Sequence, residues 1–144
     1  MRYVGIVVVY VLVSGWLPFL AVVLSTRGAS MGRDGAGAGI LAMVAGGTAF
    51  MLVVTCFLVH IFYAVITHGS PAQEDDLPIQ RPSYRYLLAS AVLPTAWTAF
   101  AFLRPASSWN AVVDASVFVL LCALPIGATL VHWMARFAVM AIRS

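Results

Sequence analysis

Charge is missing from four long stretches of this chain, and that narrows its possible folds more than any other feature. No Asp, Glu, Lys or Arg occurs from Tyr3 to Thr26, from Gly35 to Gln73, from Tyr86 to Leu103 or from Ala115 to Ala135. A hydrocarbon core of ~30 Å is crossed by about 20 helical residues at about 1.5 Å each. Each stretch is long enough, or nearly so. The sequence therefore predicts an all-α integral membrane protein with four transmembrane helices in an up-down bundle. The predicted spans are about 4–25, 38–67, 86–103 and 109–142, forming one domain over 1–144.

Composition argues against a soluble alternative. Hydrophobic residues make up 62% of the chain and charged residues 9%, against soluble averages of ~45–50% and ~25%. A soluble fold would have to bury all four stretches with almost no polar surface left to meet water. The net charge of +3 does not indicate nucleic-acid binding. All eight basic residues are arginines, spread over the span ends at Arg2, Arg27, Arg33, Arg81, Arg85, Arg104, Arg136 and Arg143. Such spacing makes no clustered basic face and suits topology signals and headgroup anchors. Cys56 and Cys122 both fall inside spans, where they read as small buried hydrophobes. The apolar run after Arg2 outlasts the ~7–15-residue core of a signal peptide, so a retained first helix is expected.

Arginine counts predict the orientation. Arg2, Arg81, Arg85, Arg136 and Arg143 share the side of both termini, against Arg27, Arg33 and Arg104 on the other. Five against three places both termini and the Pro-rich loop 68–85 in the cytoplasm. The expected location is a bacterial inner membrane, crossed several times.

Proline and small residues mark the spans internally. Pro18, Pro94 and Pro125 lie within spans 1, 3 and 4, where each removes a backbone donor. The first half of span 2 is rich in small residues, and Ala38, Gly39, Ala42, Gly46 and Ala49 are its expected helix-packing face. Ala38, Ala42 and Gly46 repeat every four residues, the pattern that lets helices approach closely in lipid. Ser107 or Ser108 is the expected N-cap of span 4.

Three ionisable residues inside spans are the candidate functional groups: His60, Asp114 and His132. His60 and His132 fall toward the C-terminal ends of spans 2 and 4, which run the same way, so similar depth is expected. Two neutral imidazoles on facing helices are what a bis-histidine b-type haem requires. The plainer reading is a neutral histidine near the interface, and Trp133 with Arg136 beside His132 resembles an interfacial anchor group. Cys56 and His60 share a helix face, but two ligands do not make a metal site, and no metal is expected. Asp114, early in span 4, gains from the helix dipole and has Arg104, Arg27 or Arg33 as partners on its side. It either anchors that interface or lines a polar crevice as a proton- or cation-responsive site. In the loop, Glu74, Asp75 and Asp76 with Arg81 and Arg85 form a candidate partner-docking segment; as a plain linker, its three prolines favour extended backbone.

No nucleotide-binding loop, metalloprotease helix or paired cysteine motif occurs. The leading expectation is a non-enzymatic inner-membrane protein that meets the lipid bilayer and acts through another membrane protein or a second copy of itself. It would be an accessory or anchoring subunit, or an immunity protein that binds a membrane-targeted toxin. No cofactor is expected on that reading. The alternatives are an electron-transfer subunit with haem on His60 and His132, and a small transporter or channel with Asp114 as its ionisable site.

Overall fold

A computed structural model describes residues 2–29, 35–67 and 80–143. Within them the chain is helical throughout: α1 (Arg2–Ala29), α2 (Gly35–Thr67), α3 (Gln80–Leu103), a single 3-10 turn at Ala106–Ser108, and α4 (Ala111–Arg143). No strand occurs among the described residues. All four α-helices are long and apolar enough to cross a membrane. At about 1.5 Å per residue, α3 reaches about 36 Å, α1 about 42 Å and α2 and α4 about 50 Å, so all four can span a ~30 Å hydrocarbon core and α2 and α4 exceed it most.

Cross-helix contacts give the arrangement. Pro18 of α1 faces Gly46 of α2, and Tyr10 faces Cys56, so α1 and α2 run antiparallel. Ala101 of α3 meets Trp109, just before α4, while Trp97 meets Asp114, so α3 and α4 are also antiparallel. His60 and Phe62 of α2 lie beside Trp133 and Phe137 of α4, in the same direction. Trp16 and Arg27 of α1 reach Thr95 and Ala101 of α3, again in parallel. The result is an up-down bundle ordered α1, α2, α4, α3 around its perimeter. Within the described residues α2 and α3 do not touch, while α1 and α4 meet across the centre. One end of the bundle holds the α3–α4 turn, and the other holds the helix ends nearest the chain termini.

The core is a continuous apolar column. Leu17, Val53, Phe118 and Ile126 are almost wholly buried at its middle. In lipid, apolar burial supplies no drive of its own, so helices hold together by close van der Waals packing and hydrogen bonds. α1 and α2 approach closely at Gly46, where a Cβ would stand 3.3 Å from the Pro18 Cα and 3.5 Å from the Ala21 Cβ. Ala42, Ala45 and Ala49 are buried around it.

Four local expectations are corrected. Gly39 is exposed, and a Cβ there would meet nothing within 4 Å; Ala38 is only half-buried. The buried face instead follows Ala42, Ala45, Gly46, Ala49, Val53 and Cys56, the three-and-four spacing that keeps a stripe on one side of a helix with 3.6 residues per turn. The membrane-crossing stretch of α3, Arg85–Leu103, matches the expected span, but the helix itself begins earlier, at Gln80, so Arg81 and Arg85 belong to a helix and not to a loop. Pro82 allows this because first-turn amides have no intrahelical partner to lose. The cap of α4 is Asn110, not Ser107 or Ser108. Its Oδ1 accepts from the amides of Val112 and Val113 at 3.1 and 3.2 Å, as an N-cap side chain does. Trp133 is not an interfacial anchor but is fully buried.

Replacing Gly46 by Leu should separate α1 from α2 and cost about 1–3 kcal/mol, the range for overpacking a filled site. Gly47→Leu, at a position with nothing within 4 Å of its Cβ, should be close to neutral. Thermal unfolding of both variants in detergent checks this; equal melting temperatures would contradict the packing described.

Candidate functional site

The three ionisable candidates within the predicted spans lie in two clusters at opposite ends of the bundle. Asp114 sits in the first turn of α4, 1% exposed, and makes an ion pair with Arg104 through Oδ1. Of the three arginines that sequence offered as partners, the structure selects Arg104, just past the end of α3. The α3–α4 turn is short, so it returns Arg104 directly over the start of α4. Arg33 lies outside the described residues. Arg27, at the end of α1, turns instead onto aromatic rings, 4.4 Å from the centroid of Phe102 and 5.8 Å from that of Trp109.

Aromatic side chains enclose this ion pair. The Arg104 guanidinium lies 5.2 Å from the Trp97 ring and 5.4 Å from the Phe100 ring. Trp97 Nε1 donates to the Asp114 carbonyl at 3.1 Å, and Trp109 Nε1 donates to the Ala101 carbonyl at 3.1 Å. Each tryptophan thus joins the end of α3 to the start of α4. Sequence reading passed over Trp97 and Trp109; their place within a turn or two of a buried charge was the available signal. Arg27 and Arg104 stand at helix C-termini and Asp114 at an N-terminus, all favourable to the helix dipoles. Chemically, the assembly is a charge-assisted clasp. Asp114 Oδ2 and Arg104 Nε remain buried without a partner, so one oxygen carries the whole contact.

His60 lies toward the opposite end. Its ring stands edge-on to Trp133 at 5.0 Å and to Tyr10 at 6.0 Å. Tyr63 stacks on Trp133 at 6.4 Å and meets Phe137 edge-on at 5.1 Å. Tyr63, Trp133 and Phe137, with Val59 and Met140, form a second small core between α2 and α4. Trp133 takes the side of His60 that faces α4. A macrocycle ligated by His60 toward α4 would have to displace that ring. His132 is half-buried, next to Trp133 in sequence. His60 Nδ1, His132 Nε2 and Trp133 Nε1 are buried with no hydrogen-bond partner. Cys56 bonds Tyr10, with Oη and Sγ 3.5 Å apart. Among the described residues, no three His, Cys, Asp or Glu side chains gather as metal ligands.

The loop candidates divide. Arg85 is an exposed residue of α3, and Arg81 lies in the first turn of that helix. Glu74, Asp75 and Asp76 lie outside the described residues. Comparison with protein-family models, with curated proteins and with solved structures finds no match.

Removing Asp114 leaves the Arg104 charge half-buried and unpaired. Asp114→Leu should cost about 2–3 kcal/mol, below the 3–5 of a fully buried pair, because the Arg104 side chain keeps 21% of its exposure. Arg104→Met should cost more, about 3–5 kcal/mol, because the carboxylate it leaves unpaired is buried at 1% exposure. The double variant should recover part of the loss, since residues in contact are non-additive. Unfolding free energies for the four proteins give the coupling, and strict additivity would remove the clasp.

Proposed function

We propose that this chain is a small non-enzymatic membrane protein that acts through another membrane protein, with its four helices inserted in a bacterial inner membrane and both termini in the cytoplasm. Accessory or anchoring subunits belong to this class, as does an immunity protein that intercepts a membrane-targeted toxin. The observation that carries the reading is how little of each span is used internally. Within an apolar 18-residue stretch of each span, between 22% and 33% of residues are buried within the chain. The remainder form apolar outer faces, such as Ile40, Met43, Val44 and Met51 on α2 and Leu124, Val131 and Met134 on α4. Such faces meet only lipid or another transmembrane helix.

The inner features favour structure over transport or electron transfer. Leu17, Val53, Phe118 and Ile126 fill the middle of the bundle, where a transport path would need polar groups. Asp114 is occupied in clasping α3 to α4. Trp133 occupies the ground beside His60 that haem would need.

Photo-crosslinking residues placed singly at Val44, Met51, Leu124 and Val131 test the proposal in native membranes. A discrete protein adduct from one helix face, absent from the others, is expected. Lipid adducts alone from every position would contradict it.

A further inference from the structure

Two prolines on neighbouring helices lie at almost the same depth, and their helices are tied together there. Trp16 Nε1 donates to Thr95 Oγ1 across 3.0 Å. Trp16 is two residues before Pro18, and Thr95 is one residue after Pro94. Since α1 and α3 are parallel, Pro18 and Pro94 are level to within about one turn, or ~5 Å. Pro18 removes the amide that would bond the Ser14 carbonyl, and Pro94 the amide that would bond the Ser90 carbonyl.

The hydrogen-bond ladder is weakened further on either side. Around Pro94, Ser90 Oγ donates to the Leu87 carbonyl at 2.7 Å, Thr95 Oγ1 to that of Ala91 at 2.7 Å, and Thr98 Oγ1 to that of Pro94 at 2.8 Å. Ser14 Oγ donates to the Val11 carbonyl at 3.0 Å in α1. Hydroxyls bonded back to their own helix compete with its amides and favour bending. At the same depth α2 presents Gly46 to Pro18, with Gly47 beside it, and glycine lowers the cost of distorting a helix. Pro125 of α4 lies about two turns away, toward the chain termini.

Both ends, by contrast, are cross-linked by rings and charges. One has the Arg104–Asp114 pair with Trp97 and Trp109. The other has a chain of ring contacts from Tyr10 through His60, Trp133 and Tyr63 to Phe137, which joins α1, α2 and α4. We infer that the bundle is two rigid halves joined by a compliant plane through Pro18, Gly46 and Pro94, with the Trp16–Thr95 bond making α1 and α3 bend together. Motion of one half relative to the other is then a route by which an event on one membrane face reaches the other. The inference does not depend on the identity of any partner.

Electron–electron distance measurements on the purified chain in nanodiscs test it, using nitroxide pairs in a Cys56→Ala, Cys122→Ala background. Val8 with Leu88 reports the half nearest the termini, Val22 with Leu103 the other half, and Val8 with Leu103 spans the plane. All four positions are exposed. The two within-half distributions should be narrow and the cross-plane one broad. Pro18→Ala with Pro94→Ala should narrow the cross-plane distribution to the within-half width. Thr95→Val, which keeps the side-chain shape and loses the tie, should broaden Val8–Leu88 and leave Val22–Leu103 unchanged. A cross-plane distribution as narrow as the others would overturn the inference even if the proline variants fail to fold. So would a width unaltered by either substitution.

Discussion

Hydrocarbon offers no hydrogen bonds, and four helices long and apolar enough to cross a membrane are a structure that meets that constraint. A backbone amide or carbonyl left unpaired in lipid costs several kcal/mol, on the order of 4–8 against a solvent that cannot bond at all. Four apolar segments therefore become four helices, each satisfying its own backbone. The same rule governs the interior hydroxyls. Ser25, Ser90, Thr98 and Thr129 are buried, and each bonds a carbonyl of its own helix three or four residues back. None of these bonds joins two helices. Cohesion has to come from close packing and from a few polar contacts that do cross.

Those crossing contacts gather mainly at the ends. Asp114 is tolerable at 1% exposure because Arg104 neutralises it and Trp97 holds the turn of backbone that carries it. At the other end, stacked and edge-on rings from α1, α2 and α4 interlock. Between the ends, the α1–α2 seam relies on the absence of a side chain at Gly46. A Cβ there would press against Pro18, 3.3 Å from its Cα. Proline thus has two effects in α1: it interrupts the backbone ladder, and it provides the surface on which α2 rests.

Much of the architecture was legible because a long uncharged, apolar run points so directly to a helix able to cross a membrane. The uncharged runs located all four helices, and the small residues of α2 pointed to a close approach by another helix. What stayed hidden was phase and partner choice. Gly39 and Gly46 look equivalent in a stripe of small residues, yet one is exposed and the other touches Pro18. Only the neighbouring helix decides which side of a uniformly apolar cylinder is inside. The start of α3 was obscured by Arg81, Pro82 and Arg85, which resemble a loop until the first-turn tolerance for proline is considered. Of three arginines open to Asp114, the chosen one is set by the reach of a short turn. Trp133 sits beside a histidine and near an arginine, as an interfacial anchor would, but α2 presents His60 and Tyr63 to bury it.

The proposed function requires four membrane crossings, with the α3–α4 turn on one side and the end of α4 on the other. Cysteine accessibility in intact cells measures this directly, with Ser107→Cys and Ile142→Cys made singly in a Cys56→Ala, Cys122→Ala background. Both positions are exposed. A membrane-impermeant maleimide should label residue 107 in intact cells and residue 142 only after permeabilisation. Labelling of both from the same side would contradict the up-down arrangement across the bilayer, and the reverse pattern would invert the proposed orientation.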